Sequence, residues 1–118
     1  ASAPPAMISS FDDNILRIAK QVAPDISRGF IVERLPRAWR RIADAVGCVS
    51  IHGHQRHLTA AGIGRVKEAG LLMAAWSTDD ADRALTLWDW GVDCVLTGAP
   101  AVIDSAWKSR QSNTKRKR

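Results

Sequence analysis

The chain has 118 residues, a hydrophobic share of 46%, a charged share of 25% and a formal net charge of +5. That length holds one domain with a modest core and excludes a closed eight-stranded α/β barrel, which needs about 250 residues. No apolar run approaches the roughly 18 residues of a membrane span, so a soluble chain with no membrane partner is expected.

The opening Ala1-Ser2-Ala3-Pro4-Pro5-Ala6 is small and Pro-rich, with no basic segment or apolar stretch behind it. It reads as a linker or cut N-terminus over residues 1–6, not as a signal peptide. A single domain is expected over residues 7–107. Short apolar runs predict five strands: Met7-Ile8, Phe30-Ile31-Val32, Cys48 to Ile51, Leu71 to Trp76 and Cys94-Val95-Leu96. They recur at about 20 residues, the length of a βα unit.

Helical patterns fill the intervals. Ile15, Ile18, Ala19 and Val22 take the i, i+3, i+4, i+7 spacing that makes one apolar stripe, expected to pack on the sheet. Leu35, Trp39, Ile42 and Val46 make a second stripe; Ile63, Val66 and Ala69, following Thr59, a third; Ala81, Ala84, Leu85 and Trp88 a fourth. Asp12-Asp13, Thr59 and Asp79-Asp80 stand where side-chain oxygens accept bonds from free helix N–H groups. Gly47, Gly70 and Gly91 stand where a left-handed residue ends a helix. Apolar strands alternating with helices imply a parallel sheet, an α/β fold.

Trp39, Trp88, Trp90 and Trp107 read as packing anchors, with Trp90 at a surface that a missing partner covers. Cys48 and Cys94 fall in strand-like runs and are expected as buried, reduced thiols, which suits a cytoplasmic protein. At the C-terminus Lys115-Arg116-Lys117-Arg118 supplies four of the 17 basic residues, leaving 13 against 12 acidic ones. Residues 108–118 therefore read as a basic, disordered tail. No aromatic residue interleaves it to stack on bases, so nucleic acid is an unlikely partner and a small basic nucleic-acid-binding domain is the weakest functional alternative.

In parallel α/β folds chemistry collects after the C-terminal ends of the strands. The residues there are Ser9, Ser10 and Phe11; Glu33 and Arg34; His52 and His54; Trp76 and Ser77; Thr97 and Gly98. Glu33 is the lone carboxylate among them. A metal-dependent phosphodiesterase needs several hard ligands, a base and an acid at one point. No catalytic residue and no metal ligand is therefore assigned to this chain.

Five segments in register carry a resemblance: Ile8-Ser9-Ser10-Phe11, Arg28-Gly29-Phe30-Ile31-Val32, Gly47-Cys48-Val49-Ser50-Ile51-His52, Ala75-Trp76-Ser77-Thr78-Asp79 and Trp90-Gly91-Val92-Asp93-Cys94-Val95-Leu96-Thr97. Over about residues 6–104 the chain resembles the C-terminal portion of bacterial glycerophosphodiester phosphodiesterases. The resemblance implies the last five strands of a TIM-type (β/α)8 barrel, a partial barrel. It implies hydrolysis of glycerophosphodiesters to glycerol 3-phosphate and an alcohol, with a divalent metal (Mg or Ca) in the complete enzyme. The family's metal-binding carboxylates and catalytic histidines, with its His-Arg-Gly motif, lie on the first strands and have no counterpart here. The chain is accordingly expected to bind no metal and to be inactive alone.

The same resemblance makes Phe11, His52 and Trp76 substrate-binding positions, pocket contacts and not catalysts. An aromatic ring with a donor, as at Trp76, suits a glycerol or alcohol moiety. His52-Gly53-His54 also places two imidazoles on one strand face, as in the zinc motif of amidohydrolase barrels, but no histidine follows His57 to complete such a site. Two departures stand out. Thr97-Gly98-Ala99-Pro100 replaces the family's common Thr-Asp-x-Pro, and Asp79 stands where Asn is common. Five parallel strands leave two open edges, so self-association or pairing with an N-terminal half-barrel is expected. A non-catalytic binding or assembly module derived from the barrel is the other alternative.

Overall fold

The structure is a computed structural model that describes residues 6–116. Its elements alternate: β1 (Met7–Ser10), α1 (Asp13–Val22), β2 (Ser27–Val32), α2 (Trp39–Val46), β3 (Ser50–His54), α3 (Ala60–Glu68), β4 (Leu72–Trp76), α4 (Ala81–Asp89), β5 (Cys94–Val95) and α5 (Pro100–Arg116). A single 3-10 turn, Gln55–His57, links β3 to α3. The five strands lie in sequence order and every neighbouring pair is parallel. Because parallel crossovers are right-handed, a sheet wound in one direction carries its crossover helices on one face. The other face is left for the strand residues of opposite parity.

On the helix side Phe30, Ile51 and Met73 stand in register across β2, β3 and β4. They meet Leu16, Val46, Ile63, Val66 and Leu87 from the helices, all fully buried. Gly53 is flush with this core: a β-carbon there would lie 2.6 Å from Leu58 Cδ2. The opposite face carries Gly29, Ser50, His52, His54, Ala74, Trp76 and Cys94 by alternation along the strands. β1 pairs with β2 alone and β5 with β4 alone, so the sheet is open.

The helix ends follow the sequence. Asp12 accepts from the Asn14 N–H at 2.9 Å, Thr59 from Gly62 at 3.0 Å and Asp80 from Asp82 at 2.9 Å. Gly47, Gly70 and Gly91 take φ of 61°, 81° and 107° at the ends of α2, α3 and α4. At the C-terminal end of α2, buried Arg28 donates Nε to Val46 O at 2.8 Å and Nη1 to Ile26 O at 3.0 Å. A guanidinium there meets the negative end of the helix dipole.

Several expectations are corrected. The third strand begins at Ser50, not Cys48, so His52 and His54 lie within it. In α1, Leu16 and Ala19 are buried, whereas Ile15, Ile18 and Val22 are exposed at 50%, 58% and 76%. Of the stripe expected to face the sheet, Ala19 packs inward while Ile15, Ile18 and Val22 face outward, because α1 is apolar over more than one side. Cys94 is exposed, since no strand covers β5 on its far side. Trp90 is partly buried against the core, with the Arg83 guanidinium 5.1 Å from its ring centroid.

The stretch 108–116, expected as a disordered tail, continues α5. Pro100 occupies the first helical position, where its missing N–H costs nothing, and no Gly or Pro interrupts residues 101–116. Arg110 anchors the helix to α4 through Leu85 O at 3.2 Å and an ion pair with Asp89. Residues 1–5 and 117–118, parts of the expected linker and tail, lie outside the described residues. Among the described residues no helix is long and apolar enough to cross a membrane.

Candidate functional site

The C-terminal ends of β1, β3 and β4 bring three aromatic side chains together. Trp76 closes β4 in register with His54 at the end of β3. Their ring centroids lie 4.4 Å apart at 71°, and Phe11, in the bend after β1, meets the indole edge-on at 5.9 Å. Offset and edge-on pairs of this kind are stable beyond their buried area. Phe11 is nonetheless 60% exposed, so the group is a shelf with one open side, not a core.

His52 lies one pleat below His54 and does not join the ring cluster with its imidazole. Its Nε2 shares a 2.8 Å hydrogen bond with Ser50 Oγ, and its carbonyl accepts the Trp76 indole N–H at 3.1 Å. The donor that suited Trp76 to an alcohol is thus committed to the protein. Gly29 on β2 gives the imidazole its room: a β-carbon there would stand 2.8 Å from His52 Nε2. Burial lowers the His52 pKa from 6.5, which keeps the ring neutral at pH 7.

The turn after β3 is fixed from α4. Arg83 donates Nε to Gln55 Oε1 at 2.9 Å and Nη2 to Gln55 O at 2.6 Å. That clasp sets His57, whose ring lies 5.3 Å from His54. On the other side of β4, Asp79 bridges to the loop after β5. It accepts from Thr97 Oγ1 at 2.9 Å and from the Gly98 N–H at 2.7 Å, and these bonds lower its pKa from 3.8. The two sequence departures therefore meet in space. Position 79 thus brings a carboxylate beside Gly98, its Oδ1 3.5 Å from where a Gly98 β-carbon would stand.

Of the three positions singled out in the sequence, the structure joins Phe11 to Trp76 and ties His52 to them through its carbonyl alone. His54, not among those three positions, completes the shelf, and its place two residues after His52 signals the shared face. The residues present do not fit a divalent cation: among the described residues no three of His, Cys, Asp and Glu gather as a site. Glu33 acts on His57 without completing a ligand set.

The glycerophosphoryl diester phosphodiesterase family model matches residues 1–102. The chain belongs to that family. A phosphodiesterase of Oleispira antarctica, solved with the product sn-glycerol-3-phosphate, is 31% identical with a TM-score of 0.86; the match covers 92% of this chain and 44% of that one. A Silicibacter pomeroyi protein described as a glycerophosphoryl diester phosphodiesterase matches at 16% identity and a TM-score of 0.80, over 89% of this chain and 38% of that one. A glycerophosphodiester phosphodiesterase of Parabacteroides distasonis matches at 19% identity and 0.73, over 87% and 43%. The last two bear on the fold alone. This member of the family thus has the α/β fold of the TIM-type barrel with its sheet open, and spans less than half the length of those structures. Among curated proteins none matches the chain.

Proposed function

We propose that this chain forms the substrate wall of a glycerophosphodiester phosphodiesterase, an enzyme releasing glycerol 3-phosphate and an alcohol from a glycerophosphodiester. The observation that carries the reading is the shelf of Phe11, His54 and Trp76 at the strand ends of a family member. Its open side offers apolar ring faces to the carbon skeleton of a glycerol or alcohol group. His52 acts below the shelf as a positioning residue, holding the Trp76 indole through its carbonyl. The divalent cation and the acid and base are assigned to the family segments that precede those matched here, so the chain alone is inactive. A cytoplasmic location fits the free thiols of Cys48 and Cys94.

The test is release of glycerol 3-phosphate from glycerophosphocholine with magnesium or calcium, by the chain alone and mixed with the N-terminal half of a related enzyme. Activity in the mixture alone is expected. There, Trp76→Ala should lower kcat/KM by about tenfold, while Trp76→Phe, which keeps a ring and loses only the bond to His52, should lose less. Activity of the isolated chain would overturn the assignment of the chemistry elsewhere. Silence in both, with ligand still bound, would favour a non-catalytic module.

A further inference from the structure

A cleft of about 270 Å³ opens on the helix side of the sheet, between the loop after β2 and the start of α3. Its floor includes buried Leu58, Ile63 and Met73, its rim carries Arg34, His57 and Arg65, and no acidic side chain lines it. Arg65 folds back over its own helix, placing Nη2 3.8 Å from where a β-carbon on Gly62 would stand. Among the described residues, Arg17, Lys67, Lys108 and Arg110 take the carboxylate partners, and Arg34 and Arg65 take none. The Thr59 hydroxyl already holds the Gly62 N–H, so the pull on a ligand comes from side-chain cations.

We propose that this cleft binds a small phosphate-bearing anion, gripped by the guanidinium groups of Arg34 and Arg65 beside His57. Guanidinium is the side chain best matched to phosphate oxygens, offering forked donors and a charge that does not titrate away. The volume falls below the roughly 300–1,000 Å³ of clefts that take drug-sized ligands, so it admits phosphate with a short stem and not a nucleotide. The floor of the cleft is on the opposite face of the sheet from the aromatic shelf, but His57 at its rim lies 5.3 Å from His54 of that shelf, so Arg34 and Arg65, which line the cleft and not the shelf, are what tell the two sites apart.

His57 reports on occupancy. Its pKa is lowered from 6.5 by slight desolvation, then by the neighbouring charges of Arg34, His54 and Arg56, with Glu33 opposing. An anion between the guanidiniums offsets the first of those charges, so binding raises the His57 pKa. The experiment follows the imidazole resonances of the full 118-residue chain by NMR while inorganic phosphate, or separately sn-glycerol 3-phosphate, is added. His57→Gln assigns the signal.

A saturable shift of His57 is expected, with affinity falling at least about tenfold in Arg34→Gln/Arg65→Gln and little changed in Arg17→Gln, which removes a charge from α1. Tighter binding of the glycerol ester places a carbon stem in the cleft; equal binding assigns the site to phosphate itself. A shift that rises linearly without saturation, or equal affinity in the double variant and Arg17→Gln, would overturn the proposal. Both arginines are exposed, so circular dichroism of the double variant should match the parent.

Discussion

Gly29 shows how one missing β-carbon governs a neighbour's chemistry. The space above it is taken by the His52 ring, with Ser50 Oγ 3.0 Å from where the carbon would stand. Burial holds the His52 pKa below 6.5, so the unfolded chain binds more protons than the folded one in the window beneath that value. Stability therefore falls as pH drops from 7 through that window. Gly29→Ala should cost about 1–3 kcal/mol by overpacking. By driving the ring toward solvent it should also flatten the loss between pH 7 and pH 5, and His52→Gln should do the same. Urea unfolding at the two pH values reads both effects, and an unchanged slope in both variants would place the acid sensitivity elsewhere.

At the scale of elements, α1 separates what patterning reveals from what it hides. Ile15, Leu16, Ile18, Ala19 and Val22 are all small or apolar, so the 3.6 period marks a helix without saying which side meets the sheet. Packing chose Leu16, which is fully buried. Leu16→Ala should cost about 2–5 kcal/mol, whereas Ile18→Ser should stay within about 0.5 kcal/mol; thermal unfolding of the two variants checks the ranking, and its reversal would restore the orientation read from spacing. The caps at Asp12, Thr59 and Asp80 were legible because they depend on local chemistry alone. The reach of α5 was not, because its anchors, Arg110 and the buried Ile103, act through contacts distant in sequence, such as the Arg110 bond to Leu85 of α4, that no local pattern displays.

For the whole molecule, the open sheet is the dominant fact. β1 and β5 present unpaired backbone, and the exposed Ile15, Ile18 and Val22 add apolar surface on the first helix. Unpaired parallel edges and uncovered apolar faces favour association. Sedimentation of the chain alone should show average mass rising with concentration, and a compact monomer at every concentration would contradict this. The shelf was partly legible at the same scale. Phe11 and Trp76 fall after apolar runs, where an α/β fold gathers its chemistry, but His54 acquires its role from a ring on another strand. The exposed thiol of Cys94 turns this geometry into an assay. Cys48 is buried, with a pKa raised by that burial, and reacts slowly with a maleimide. Cys94 is thus the preferred label on the last strand, and any chain that completes the sheet beyond β5 will be seen as a slowing of alkylation there.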